Sequence, residues 1–372
     1  MMERKPAEVF PPGDFIREEL ENRGWTQGDL AAILGRPVQA VNEILKGKKA
    51  ITADTAHGLG DAFGTGAEYW LNLESAFRLS RAEADAGVAR RAQLFEKAPV
   101  QEMIRRQWIN KTKDVDDLSS QVLRFLDIDE IEGTPSLVAA ARKSTDYSET
   151  TPAQLAWLYR AKHLAATLDV PKFTKKRFNA GLDSLRELAI SEQEVRRVPA
   201  VLAELGIRLV VVDRLPRTKI DGAAFWIDKH SPVIALSLRY DRIDGFWYTL
   251  GHELGHIANG DCAPVDSDLV GGERADDGAK PEIEQRADEF SSELVIAPAT
   301  LSSFIARTRP LYSKAKINRF ANRIGVHPGI IVGQLQFRGE IGHSHSREML
   351  VKVRGILTET ALTDGWGSAP AI

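Results

Sequence analysis

The sequence predicts an α+β protein, mostly helical: an N-terminal five-helix helix-turn-helix domain, a helical connector, and a C-terminal domain in which a small sheet leads into a metal-binding helix. Three observations predict it. Apolar residues recur at helical spacing in short runs separated by glycine turns between residues 15 and 77. Near residue 200 the period falls from 3.6 towards 2. Directly after the alternating segments comes Phe246-Trp-Tyr-Thr-Leu-Gly-His252-Glu253-Leu-Gly-His256, an H-E-x-x-H sequence in a helical context. The expected boundaries are 1–80 for the first domain, 81–195 for the connector, 196–345 for the catalytic-type domain and 346–372 for a tail.

A chain of 372 residues supports two or three domains with cores of their own. It has no apolar stretch of about eighteen residues, and its start leads into no apolar segment, so neither a membrane span nor secretion is expected. The single cysteine, Cys262, rules out an internal disulfide and fits a reducing cytoplasm. Net charge is −3, and residues 1–80 hold nine Lys/Arg against twelve Asp/Glu. Any DNA binding must therefore rest on local clustering of cations.

The first five helices can be taken in order. Phe15–Leu20 ends near Gly24. Thr26 caps a helix running from Gln27 to Leu34. Gly35-Arg36-Pro37 breaks it, and Val38–Leu45 follows with Val41, Ile44 and Leu45 on one face, a helix-turn-helix pattern. A second helix of that kind enters the major groove by its N-terminal end. Gln39 and Asn42 can then meet adenine edges, Arg36 a guanine or a phosphate, and Lys46, Lys48 and Lys49 the passing phosphates. Two more short helices complete the domain. In the connector, Thr134-Pro135 and Thr151-Pro152 read as helix starts, and His163 as a residue on a helix surface.

Three strands are expected at Ile207–Asp213, Gly222–Asp228 and Pro232–Leu238. An exposed edge there could hold an extended peptide by strand addition. In the helix that follows, Asp244 is placed as the cap, Leu250, Leu254 and Ile257 as the apolar stripe, and Asn259-Gly260 as the stop. Residues four apart lie on one helical face, so His252 and His256 can share a metal ion, while Glu253 sits about 100° round. From there Glu253 can act on water without being a ligand. Two imidazoles and a carboxylate suit zinc. The third ligand is sought on Pro281–Leu294, with Pro281 at the first helical position and Ile283, Ala287, Phe290 and Leu294 as its buried stripe. Glu284 is the first choice and Glu282 the second. Asp288, one turn after Glu284, can accept the spare ring N–H of a liganding histidine. Tyr248 reads as a core residue or as an oxyanion donor, and Cys262 as no ligand. Residues 261–280 read as a mobile loop. Ala321, Gly325, Ile331 and Leu335 repeat the spacing of Ala31, Gly35, Val41 and Leu45, a hairpin assigned to packing. His343 and His345 read as a polar loop, and 358–372 as a frayed tail.

Residues 1–80 resemble the XRE-type domain of HigA-like antitoxins. The matching pieces are Pro12-Gly13, Gly24-Trp25-Thr26-Gln27, Val41-Asn42-Glu43-Ile44-Leu45-Lys46-Gly47-Lys48, Ile51-Thr52, Ala62-Phe63-Gly64-Thr65 and Tyr69-Trp70-Leu71-Asn72-Leu73. Pro37 departs from the serine or threonine cap usual there. This resemblance implies operator binding, usually as a homodimer. Residues 195–345 resemble the ImmA/IrrE family of zinc metallopeptidases, which have a zincin-like fold. Here the matches are Asp221-Gly222 to Trp226, Pro232-Val-Ile, Arg239 to Arg242, Phe246 to His256, and Glu284 to Pro298. It implies His252, His256 and Glu284 as zinc ligands, Glu253 as general base, and an intracellular role in cutting or controlling a repressor. The expectation is a cytoplasmic DNA-binding regulator with a zinc endopeptidase domain acting on a protein partner, either a repressor or a toxin-system component. The alternative is a HigA-like repressor whose C-terminal domain senses or docks without catalysis.

Overall fold

The computed structural model describes residues 9–82, 86–137, 150–261, 266–267 and 281–365, and the chain divides into two compact units, Met1–Ala86 and Gly87–Ile372. Among the described residues no helix is long and apolar enough to cross a membrane.

The first unit is five helices: α1 (Pro12–Arg23), α2 (Gln27–Leu34), α3 (Val38–Leu45), α4 (Ala53–Phe63) and α5 (Ala67–Arg81). Their ends follow from local chemistry. Thr26 and Asp29 form a reciprocal capping box at the start of α2, with Asp29 N–H donating to Thr26 Oγ1 at 3.1 Å and Thr26 N–H to Asp29 Oδ2 at 2.7 Å. Gly35 closes α2 with φ of 61°, a left-handed conformation that a side chain disfavours. Ile16, Leu20, Leu30, Val41, Ile44, Leu45, Leu59, Phe63 and Trp70 make the core.

The second unit is organised on a mixed five-stranded sheet of order β4-β2-β3-β1-β5. Its helices before the sheet are α6 (Ala86–Lys97), α7 (Val100–Arg105), α8 (Val115–Phe125), α9 (Pro152–Ala166), α10 (Lys175–Glu187) and α11 (Val198–Glu204). The strands are β1 (Arg208–Val211), β2 (Ile220–Trp226), β3 (Pro232–Leu236), β4 (Asp266–Ser267) and β5 (Leu362–Thr363). Strand β3 runs antiparallel to β2 and parallel to β1, and β5 is parallel to β1. After β3 come α12 (Ile243–Asn259), α13 (Glu282–Val295), α14 (Pro298–Thr308), α15 (Lys314–Ile324), α16 (Pro328–Phe337) and α17 (Arg354–Leu357).

Side chains alternate across the sheet, and both faces are covered. Leu209, Val211, Ala224, Ile234 and Leu236 share a core with the later helices. Val210, Val212, Ala223, Phe225, Val233 and Ala235 share the other with Leu94, Met103, Val122, Trp157 and Tyr159. Here the structure departs from the expected connector at 81–195. From α6 onward that segment belongs to the second unit: α6 to α9 cover one face of the sheet, where Trp157 Nε1 donates to the Val212 carbonyl at 2.8 Å, while Phe178 and Leu185 of α10 pack in the core on the other face. Strands buried on both faces read as short apolar runs and give no hint of the layer that covers them. Thr151 caps α9 as expected, with Gln154 completing a capping box. The helix announced by Thr134-Pro135 runs into residues outside the described ones.

Two edges also differ from expectation. Residues 362–363, expected in a frayed tail, pair with β1, and residues 266–267 of the expected loop pair with β2. The remainder of 262–280, with Cys262, and residues 366–372 lie outside the described residues. The C-terminal hairpin is packing, as read: Ile330, Ile331, Val332 and Leu335 of α16 are buried. Gly333 lies so close to the start of α12 that a Cβ there would be 2.3 Å from Asp244 Oδ2.

Candidate functional site

Helix α12 starts after Arg242 in extended conformation, with no side-chain cap, and ends at Gly260 with φ of 76°. Asp244 is therefore not the cap. It lies in the first turn, where an acid favours the helix dipole, and accepts from Arg242 Nε at 3.0 Å. Pro281, likewise, is the residue before α13 and not its first.

Small residues bring α12 and α13 together. A Cβ on Gly251 would lie 2.8 Å from Ser291 Oγ and 3.0 Å from Ser291 Cα; one on Gly255 would lie 2.8 Å from Ala287 Cα. Both glycines sit one position before a histidine, so the near-contact of the two backbones sets the histidines beside Glu284. His252 Nε2 is 3.1 Å from Glu284 Oε2 and 3.1 Å from His256 Nε2, and His256 Nε2 is 3.5 Å from Glu284 Oε1. One ligand atom from each of the three lies within 4.8 Å of the others, and all three residues are buried. Glu282, the second choice, is solvent-exposed on the far side of α13, 3.8 Å from Arg286.

The outer contacts set the protons. Asp288 Oδ1 lies 3.0 Å from His252 Nδ1, the arrangement expected from their spacing, and accepts from the Tyr248 hydroxyl at 2.8 Å. An Nδ1–H donated to that carboxylate would leave His252 Nε2 with its lone pair towards His256 and Glu284. Two imidazole nitrogens and a carboxylate converge in a buried space, an arrangement that a cation of the zinc type would satisfy. The donor set fits that ion. Asp261, which sequence reasoning missed, places Oδ2 at 3.7 Å from His256 Nδ1. Burial pushes its carboxyl above the usual range, Arg286 pulls it back, and the charge of Glu284 adds to the rise.

Glu253 is fully buried and faces the sheet. A Cβ on Gly222 of β2 would fall 2.4 Å from Glu253 Oε1 and 3.1 Å from Thr249 Cγ2, so a side chain here would have to displace the Glu253 carboxylate. Gly222, Gly251 and Gly255 are the site residues that a search for ligands overlooks; the glycine spacing inside the H-E-x-x-H helix was the available signal. His343 and His345 are exposed, and among the described residues His252, His256 and Glu284 are the cluster suited to a metal.

In the first unit the DNA-facing candidates lie on α3 and its two flanks. Gln39 is exposed, its Nε2 donating to Glu43 Oε1 at 3.3 Å, and Asn42 is half-buried. Lys46, Lys48 and Lys49 are exposed just past the helix. Arg36 is paired with the Asp54 carboxylate, so a phosphate or guanine would have to compete for it. Val38, beside Gln39 and half exposed, was not among the candidates; an apolar group there suits a thymine methyl.

Residues 16–70 match the family model described as Helix-turn-helix. Virulence-associated protein I of Dichelobacter nodosus is 41% identical over 75 residues, 20% of this chain and 69% of that protein. An uncharacterized HTH-type transcriptional regulator of Escherichia coli, YddM, is 32% identical over 79 residues, 21% of this chain and 84% of that one. Among solved structures, an addiction module antidote protein of the HigA family from Coxiella burnetii is 40% identical over 19% of this chain and 79% of its own, with a TM-score of 0.19. These similarities each cover about a fifth of the chain. Through this N-terminal domain the chain belongs to the helix-turn-helix family.

Proposed function

We propose that the chain is a cytoplasmic DNA-binding transcriptional regulator whose second unit is a zinc-dependent endopeptidase acting on a protein partner. For the first part the support is α2 and α3 at helix-turn-helix spacing, with Gln39 exposed on α3 and the three lysines beyond it, and the family membership itself. A homodimer on a two-fold operator is the matching assembly.

The observation that carries the second part is the convergence of His252, His256 and Glu284 with Glu253 on the adjoining face of the same helix. These three residues would hold zinc, which when bound polarises a peptide carbonyl and makes water acidic at neutral pH. Asp288 holds His252 in the tautomer that offers Nε2. Glu253, whose carboxylate lies against Gly222 of β2, would take a proton from the attacking water and pass it to the leaving amine.

A second reading draws on the burial of the three candidate ligands: a closed centre that holds metal and stiffens a sensor or docking module. Glu253→Gln separates the two. New protein N-termini that appear in cells carrying the wild-type chain and vanish with Glu253→Gln, while zinc and DNA binding persist, support the peptidase. Identical N-termini in both strains, with about one zinc per chain, would leave the non-catalytic regulator. Absence of zinc after reconstitution would remove both metal readings and leave the DNA-binding regulator.

A further inference from the structure

We propose that Tyr248 is a positioning residue for this centre: by donating its hydroxyl to Asp288 it holds the carboxylate that keeps the Nε2 lone pair of His252 turned towards Glu284 and His256. The proposal rests on the metal reading above and extends it outward by one layer.

Two hydrogen bonds meet on a single oxygen. Asp288 Oδ1 receives the Tyr248 hydroxyl at 2.8 Å and faces His252 Nδ1 at 3.0 Å. An ionised carboxylate only accepts, so with both bonds in place the imidazole must be the donor, and its other nitrogen is left with a lone pair. Asp288 needs such a tether because its side chain is 29% exposed whereas that of His252 is wholly buried. The Tyr248 hydroxyl opposes rotation of this carboxylate towards water and so helps to fix the ring orientation.

The tyrosine is itself held. Its carbonyl accepts from Ser291 Oγ at 2.7 Å, three residues beyond Asp288 on the same helix, so α12 and α13 are tied at one level. Its ring lies 6.2 Å from that of Phe337 on α16 and 6.4 Å from that of His252. The hydroxyl is thus aimed by packing on one side and by a helix–helix hydrogen bond on the other.

Zinc affinity of the full chain, measured by competition with a chelating dye, tests this in a double-mutant cycle. Asp288→Asn is expected to weaken zinc about ten- to hundredfold and Tyr248→Phe about three- to tenfold, because outer contacts to a liganding histidine carry effects of that order. In the Asp288→Asn background, Tyr248→Phe should add nothing. A residue that only packs would cost the same factor in both backgrounds, and that result overturns the proposal. Zinc affinity unchanged by Tyr248→Phe alone overturns it too. Tyr248→Phe keeps the ring against Phe337, so the fold is preserved. A second readout needs no metal: in the zinc-free chain labelled with ¹⁵N-histidine, His252 should show the Nδ1–H form, and Tyr248→Phe should shift it towards a mixture. If the wild type binds no zinc yet this shift appears, the metal reading fails and the positioning role stands. If zinc binds and neither readout moves, the positioning role fails and the metal reading stands.

Discussion

The two units place their polar groups in opposite ways. In the first, the candidate contacts Gln39, Lys46, Lys48 and Lys49 are exposed and fall within eleven consecutive residues of one helix and its end. In the second, His252, His256 and Glu284 are buried, and they meet because two helices separated by a long segment press together at Gly251 and Gly255. An exposed row can change residue by residue with little effect on folding. A buried convergence ties binding to packing, so a change in one disturbs the other.

The sharpest break in this comparison is Glu284→Ala. It should take zinc from about one per chain to none by mass spectrometry, while DNA binding by the first unit is unaffected. Next is Gly222→Ala: the added methyl displaces Glu253, and misplacement of a catalytic group by about an ångström is expected to lower cleavage up to about a hundredfold. Zinc content should stay at the wild-type level, which distinguishes this variant from loss of the centre. Gly255→Ala pushes a methyl against the backbone of Ala287, and overpacking of this kind costs about 1–3 kcal/mol, read as a lower urea midpoint of the second unit together with weaker zinc binding. The exposed row should behave otherwise. Replacing Lys46, Lys48 and Lys49 by Ala should leave the first unit's stability within about 0.5 kcal/mol and flatten the salt dependence of DNA binding by about 0.9 for each phosphate no longer neutralised.

The smallest effect concerns pH. Burial holds the His163 imidazole below its usual pKa; Asp127 pulls it back up, and Lys162 and Arg160 add to the lowering. His327 is held down in the same way by burial, against Glu192. Both therefore fold as neutral rings. Their contribution is present above the unfolded value of about 6.5 and is lost as pH falls from there through the depressed folded values. The urea midpoint of the second unit should fall between pH 7.5 and 5.5, and His163→Phe should reduce that slope.

Among the N-terminal helices α2 and α4 were the most legible because local chemistry bounds them: Thr26 with Asp29, Gly35, Thr52 and Gly64 act within a turn of themselves. The histidine pair was legible for the same reason, since four residues suffice to align it. Asp288 was reached from spacing on one helix. Asp261 was not, because its approach to His256 depends on how the chain leaves Gly260. The layer formed by residues 87–165 was missed because its apolar stripes, including Trp157 and Tyr159, do not say which surface they cover. The pairing of Arg36, a candidate for guanine or phosphate, with Asp54 was not legible because the two lie eighteen residues apart.

The pairing of β5 with β1 has a consequence in time. Val210 is in register with Leu362, and Arg106 donates to the carbonyls of Asp213 and Arg214 while lying 3.9 Å from Asp364, so the sheet is finished by residues made long after its first strand. Contacts that distant form late. At about 5–20 residues per second on the ribosome, the stretch between the end of the first unit and β5 takes roughly a quarter of a minute to a minute to synthesise. The helix-turn-helix head is complete throughout that interval, so each nascent chain passes through a stage with a finished helix-turn-helix unit and an unfinished second unit around His252, His256 and Glu284.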